Sequence, residues 1–131
     1  MTTVTLILAP RFPLLSLAIC TEALRVANRE LRKHAFDRQI VTLDGEAAVS
    51  SSGMHIAADP ALGDVAFAPV AILLSSYQPE DAATDGLLAW LRYQDRRGAL
   101  LACVDTGAYL FAKAGLLAGR HIATHREALP A

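Results

Sequence analysis

The stretch from Ala99 to Arg120 constrains the fold of this chain more than any other. It begins with an uninterrupted apolar run, Ala99 to Val104, which predicts a strand buried on both faces of a sheet. The chain then turns at Asp105-Thr106-Gly107 and enters a segment with helical spacing that ends near Gly115. A buried strand, a sharp turn and a small residue opening a helix are typical of a nucleophile elbow, which lifts one side chain above the sheet.

The lifted residue would be Asp105, beside the amide groups of the helix N-terminus. A carboxylate is a poor nucleophile toward a carbonyl group, so the turn predicts a catalytic scaffold without a catalyst. In a ligand pocket, this carboxylate would favour a cation such as a quaternary amine or a basic amino acid. An aspartate before a helix is also a common N-cap, and the sequence leaves both roles open.

Strands and helices alternate along the rest of the chain. Besides the elbow strand, apolar or alternating runs predict strands at Val4–Leu8, Phe36–Leu43 and Val70–Leu74 and a short one near Ile122. Helical spacing predicts helices at Leu14–Leu31, at Asp81–Arg97 with Gly98 as its cap, and after the elbow. This order predicts an α/β domain with a mostly parallel sheet and helices on both faces, whose ligand site lies at the carboxyl ends of the strands.

Two smaller features are predicted between the second and third of these strands. Residues Val49 to Ala57, which include Ser51-Ser52-Gly53, predict a short hairpin-like excursion. Residues Ala58 to Asp64 predict a loop with one helical turn, begun by Asp59-Pro60.

Composition narrows the class of protein. A chain of 131 residues with 53% hydrophobic and 19% charged residues predicts one globular domain with a packed core. Its net charge of −1 argues against a basic nucleic-acid surface. Cys20 and Cys103 lie among apolar neighbours and lack metal-site spacing, so we expect reduced thiols, no metal and no cofactor. We also expect a cytoplasmic protein with no signal peptide and no membrane contact, because the N-terminal apolar run is short and is interrupted by Pro10, Arg11 and Pro13.

Several motifs resemble one known family. The turn Asp105-Thr106-Gly107, the run Ala114 to Arg120, the triplet Ala123-Thr124-His125 and the helix segment Glu22 to Asn28 are similar to the GlxA-like branch of the AraC-family transcriptional regulators. Their N-terminal domain belongs to the PfpI and class I glutamine amidotransferase-like superfamily. The resemblance implies a flavodoxin-like, class I glutamine amidotransferase-like fold, and it covers essentially the whole chain.

The resemblance also implies a site. Catalytic relatives carry a cysteine at the elbow, an acid on the first helix, an oxyanion pocket after the middle strand and a histidine after the next strand. These positions match Asp105, about Ser16, Ser75-Ser76 and His125 in this chain. Of the three reactive side chains, the cysteine and the acid are therefore absent, and the histidine is kept. The predicted ligand-binding residues are Ser16, Ser75, Ser76, Tyr77, Asp105, Thr106 and His125.

Simpler roles stay open for some of these residues. Ser75 and Ser76 could form a Ser-rich turn, and His125 could be an exposed loop residue. Glu22 could be a pocket acid, but a salt bridge to Arg25 or Arg29 is the preferred interpretation.

The resemblance predicts a non-catalytic sensor of a small metabolite, a cationic amine or an amino-acid-like compound, in a homodimeric regulator. Residues 1–131 would form part of the sensor domain, and DNA would be bound only by a C-terminal helix-turn-helix domain that this chain lacks. Because relatives continue beyond His125, we expect an exposed sheet edge or apolar face that invites self-association. One alternative is a PfpI-like cysteine-dependent hydrolase or amidotransferase-like enzyme, for which Cys103 would have to serve as the nucleophile. Another is an interaction domain with no ligand.

Overall fold

A computed structural model of the chain describes residues 1–117. Its main sheet contains four parallel strands, in the spatial order β2-β1-β5-β6. They are β1 (Thr2–Leu8), β2 (Phe36–Thr42), β5 (Val70–Ser75) and β6 (Leu100–Asp105). A separate antiparallel pair, β3 (Ala48–Val49) and β4 (His55–Ile56), forms a small hairpin. The mostly parallel sheet and the hairpin-like excursion predicted from the sequence are confirmed.

Helices cover both faces of the sheet, as predicted. Helix α1 (Leu14–Leu31) packs through Leu17 and Leu24 against the face that carries Val4, Leu6 and Leu8. Helices α2 (Asp85–Arg96) and α3 (Gly107–Lys113) pack on the opposite face, around Ile7 and Leu73. Along β1 the side chains alternate between these two cores, because successive residues of a strand point to opposite faces.

Strand β6 corrects one expectation. The run Ala99–Val104 was expected to be buried on both faces, but Leu100 is 66% exposed and Ala102 is also exposed. Within residues 1–117, β6 pairs only with β5, so it is an outer strand of the sheet. The outer strand at the other end of the sheet, β2, is covered by α1. An uninterrupted apolar run therefore predicted the strand correctly but not how much of it is covered.

The second helix starts later than the sequence predicts. Residues Pro79–Ala82 form a separate 3-10 turn, and α2 begins at Asp85 instead of Asp81. The side-chain oxygen of Thr84 accepts a hydrogen bond of 3.1 Å from the amide of Leu87, which is N-cap geometry. This cap fixes the start of the helix.

The loop after the hairpin also differs from its prediction. The 3-10 turn lies at Leu62–Asp64 and is not begun by Asp59-Pro60. Asp59 instead binds the outer edge of β2: its amide donates to the Ile40 carbonyl, and its carboxylate accepts from the Ile40 amide, both at 2.8 Å. These bonds satisfy backbone groups that an outer strand would otherwise leave to water.

Two further points concern helices and the predicted last strand. Leu31, the last residue of α1, is 52% exposed although it is apolar. Among the described residues, no helix is long and apolar enough to cross a membrane. The strand predicted near Ile122 lies outside the described residues.

Candidate functional site

Backbone strain concentrates at one edge of the sheet. Four non-glycine residues within residues 1–117 have a positive φ, and three of them lie at or just after the carboxyl ends of parallel strands: Arg11 (65°) after β1, Gln78 (53°) after β5 and Asp105 (56°) at the end of β6. Left-handed backbone is unfavourable for L-residues and recurs at functional sites. In open parallel sheets, ligands bind at this same edge. The strain therefore marks the edge where the sequence predicts the site.

The elbow itself has the predicted strand-turn-helix geometry. Asp105 ends β6 opposite Ser75 of β5, and α3 begins two residues later at Gly107. The structure places Thr106 at the N-cap position of α3, and the Thr106 side chain makes no cap hydrogen bond. Asp105 instead occupies the strained position of the turn, and its side chain is half-buried.

Gly107 makes this tight turn possible. A Cβ atom added at Gly107 would lie 2.8 Å from Cys103 Cβ and 3.0 Å from the carbonyl oxygen of Leu73. Both atoms belong to packed strands, so α3 can approach the sheet this closely only with glycine at its first position.

Thr106 links the elbow to the loop after β5. The single proton of its hydroxyl is shared between the Ser76 carbonyl and Ser75 Oγ, which lies 3.1 Å away, and its amide donates to the carbonyl of Ser75 at 3.2 Å. Ser75 is completely buried and Thr106 is 7% exposed. The two buried hydroxyls therefore hold the two loops together, and their direct contact with a ligand stays a prediction.

The other predicted site residues are less closely joined. Ser76 is half-buried, and Tyr77 is 64% exposed. Ser16 lies half-buried near the start of α1, and no hydrogen bond within residues 1–117 joins it to the elbow. His125 lies outside the described residues. The structure thus brings Asp105, Thr106 and the two serines together.

Arg11 was missed as a site residue. From the loop after β1, its guanidinium forms a salt bridge with Asp81 and donates to the carbonyl of Tyr77 at 3.3 Å. Its own amide donates to the carbonyl of Val49 in the hairpin at 2.9 Å. Arg11 therefore connects three loops at the carboxyl edge. A charged residue between two prolines in a strand-to-helix loop was the available signal.

Glu22 has the structural role preferred from the sequence. Its carboxylate accepts from Arg25 at 2.6 Å across one turn of α1, and both side chains are exposed. Among the residues that the structure describes, no group of three or more His, Cys, Asp or Glu side chains could hold a metal ion.

Cys103 lies on β6 two residues before the elbow. Its side chain is half-buried and packs against the core beneath α2 and α3. Burial raises the pKa of the Cys103 thiol above its ordinary value, because the low-dielectric surroundings disfavour the thiolate. A catalytic cysteine requires the opposite shift.

We expect Cys103 to react slowly with iodoacetamide. In a Cys20→Ser variant, where Cys103 is the remaining thiol, alkylation of the folded chain at pH 8 should be several-fold slower than in denaturant, since only the thiolate reacts. Mass spectrometry against time measures both rates. Faster alkylation of the folded chain at neutral pH would indicate an activated thiolate and would support the enzyme alternative.

Comparison with known proteins agrees with this geometry. Residues 3–130 match the model of the DJ-1/PfpI family. The chain is 34% identical over 125 residues to the HTH-type transcriptional regulator CdhR of Pseudomonas aeruginosa, covering 95% of this chain and 37% of that protein. It is 31% identical over 128 residues to the HTH-type transcriptional regulator GlxA of Rhizobium meliloti, covering 95% of this chain and 39% of that protein.

A crystal structure shows the same fold. An AraC family transcriptional regulator from Pseudomonas putida superposes with a TM-score of 0.79 at 23% identity, covering 97% of this chain and 68% of that chain. The chain thus spans well under half the length of the two curated relatives described above. Its match over residues 3–130 shows that the chain belongs to the DJ-1/PfpI family.

Proposed function

We propose that the chain is the non-catalytic, ligand-sensing domain of a transcriptional regulator. Relatives at 31–34% identity are named HTH-type transcriptional regulators, and this chain matches 37–39% of their length. DNA binding would then belong to a helix-turn-helix domain located elsewhere in such a regulator. A regulator of transcription would act in the cytoplasm, which is the location that the sequence predicts.

The identity of the elbow residue carries this proposal. The turn holds an aspartate with φ 56° at the position where catalytic relatives place a cysteine. A carboxylate cannot replace a thiolate in attack on a carbonyl, but it can attract a cation. Cys103, the thiol nearest to Asp105 along the chain, lies two residues before it within β6, and burial raises its pKa.

The ligand of this site would be a small cationic amine or an amino-acid-like compound. Asp105 would bind its positive charge, while Ser76, Tyr77 and Ser16 would border the ligand at the same edge of the sheet. Thr106 and Ser75 would act by holding the elbow against the β5 loop, since their hydroxyls bond each other in the interior. His125 would complete the site, as the family resemblance implies.

Replacing Asp105 tests the ligand site. Asp105→Asn keeps the size of the side chain and its tolerance of left-handed backbone while it removes the charge. Tetramethylammonium and lysine serve as the probes, with tert-butyl alcohol as the neutral analogue of the first. We expect the cations to bind the parent chain and to bind Asp105→Asn about tenfold more weakly, the size of effect that loss of a charge-assisted contact produces.

Isothermal titration calorimetry measures these affinities. The matched control is Asp37→Asn, which removes an exposed carboxylate from β2, far along the strand from the carboxyl edge. Equal affinity of Asp105→Asn and the parent for every cation would remove the proposed role of Asp105.

We further propose that the chain forms a homodimer through the outer edge of β6. Within the described residues this strand pairs on one side only, and it exposes Leu100. Unpaired strand edges with apolar side chains are sites of association. Light scattering should give twice the 14.0 kDa of one chain, and Leu100→Lys should shift the mass toward the monomer. A monomeric parent chain at high concentration would contradict this arrangement.

A further inference from the structure

A cleft of about 380 Å³ opens beside β1, away from the elbow. It lies between the carboxyl ends of β1 and β2 and the β3 strand of the hairpin, and Leu8, Leu43 and Val49 are among its apolar lining residues. Among the residues that the structure describes, none of the predicted ligand-binding residues lines it. Its volume falls within the range of small-molecule sites. Arg11 lines the cleft and separates it from the β5 loop, to which its guanidinium is bonded.

Hydrogen bonds hold the walls of this cleft in place. The hairpin is tied to the loop after β1 by bonds of 2.9 Å from the Arg11 amide to the Val49 carbonyl and from the Ser51 amide to the Phe12 carbonyl. On the opposite wall, the Thr42 hydroxyl donates to the Glu46 carbonyl at 2.8 Å. A cleft built this way needs little rearrangement before it can accept a ligand, so less binding energy is lost to ordering.

The charge of the cleft is unbalanced. Its acidic residues are Asp44 and Glu46, and neither forms a salt bridge within residues 1–117. The guanidinium of Arg11 also lines the cleft but is paired with Asp81. Asp44 and Glu46 are both exposed, and their two negative charges at the cleft create a negative potential that attracts a cation.

From this combination we infer that the cleft is a second binding site, for a small organic cation of the alkylammonium class. The ammonium group lies at the carboxylates of Asp44 and Glu46, and the alkyl chain lies against Leu43 and Val49. The carboxylates together with the apolar wall favour an organic cation, because a metal ion would not need the apolar wall and a neutral ligand would not need the charges. This site stands apart from the elbow and does not depend on the function proposed for Asp105.

Butylammonium is the probe for this inference. NMR titration of the 15N-labelled chain should shift the amides of Ala47 and Val49 in a saturable manner. The variant Asp44→Asn/Glu46→Gln should weaken this binding about tenfold, as expected when charge-assisted contacts are lost. Asparagine at position 44 keeps the side-chain oxygen that accepts from the Glu46 amide at 3.0 Å, so the turn survives.

Two controls separate this site from general charge effects and from the elbow. Glu30→Gln/Asp64→Asn removes the same charge from exposed positions outside the cleft and should bind like the parent. Ala47→Phe, at an exposed position of the wall, should block binding without changing the charge. Asp105→Asn should leave the shifts of Ala47 and Val49 intact. Absence of saturable shifts in the parent, or equal binding by parent and Asp44→Asn/Glu46→Gln, would overturn the inference.

Discussion

Substitution of Gly107 by alanine is expected to destabilise the domain by about 3 kcal/mol, at the upper end of the usual effect of overpacking. The added Cβ would lie 2.8 Å from Cys103 Cβ and 3.0 Å from the Leu73 carbonyl oxygen. Neither neighbour can move away easily, since one belongs to β6 and the other to β5 in the middle of the sheet. Relief would require α3 to shift outward and would open the elbow. Urea unfolding followed by circular dichroism measures the loss.

Gly86 provides the matched control for Gly107. It lies in the first turn of α2, where an added Cβ has no neighbour closer than Thr84 Oγ1 at 4.0 Å. Gly86→Ala should therefore stabilise the protein slightly, by up to about 0.5 kcal/mol, because helix propensity contributes less in the first turn than in a helix interior. The same chemical change thus has opposite signs at the two positions. Equal stability of Gly107→Ala and the parent would show that α3 does not approach β6 as closely as described.

Thr106→Val is the second substitution with a large expected effect, a loss of about 2 kcal/mol. Valine matches the shape of threonine but cannot donate to Ser75 Oγ or to the Ser76 carbonyl. Because Ser75 is completely buried, no water replaces the missing partner. Thr106→Ser retains the hydroxyl and should lose much less stability.

The same substitution tests how the elbow is positioned. If Thr106 holds the turn against the β5 loop, Thr106→Val should raise hydrogen exchange at the amide of residue 106, which donates to the Ser75 carbonyl, while the amides of β1 stay protected. Unchanged stability together with unchanged exchange would contradict the role assigned to the Thr106 hydroxyl.

The sequence predicted the fold well where apolar residues recur at helical spacing or where a turn motif separates two elements. The spacing from Leu14 to Leu31 predicted α1 with both of its ends. The turn at Asp105-Thr106-Gly107 predicted a helix opened by Gly107, and it placed the end of the strand at Val104, one residue before the observed end at Asp105. In these segments the local pattern and the tertiary packing favour the same structure.

Other features depend on contacts that a sequence pattern does not contain. The exposure of Leu100 follows from the outer position that β6 has in the sheet formed by residues 1–117, not from the residues of the strand itself. Gln94 is completely buried because its side-chain amide bonds the backbone of Ala66 and Ala68, a partner that periodicity cannot identify.

The same limit applies to the site. Asp105 could be selected from the sequence because the turn is local. The bonds from Arg11 to Tyr77 and Asp81 span 66 and 70 residues, so they emerge only when β1 and β5 lie side by side. The cleft between β1 and β2 likewise requires the folded sheet.

The proposed sensing role depends on Asp105, at the elbow where an enzyme would carry its nucleophile, binding the cationic group of a ligand. Carbon-detected NMR of the chain labelled with 13C at aspartate carboxyl groups, titrated with tetramethylammonium, observes this carboxylate directly. We expect a saturable shift of the Asp105 carboxyl signal, with the Asp37 signal unchanged. An Asp105 signal that does not move, while another carboxyl group reports binding, would contradict the role proposed for Asp105.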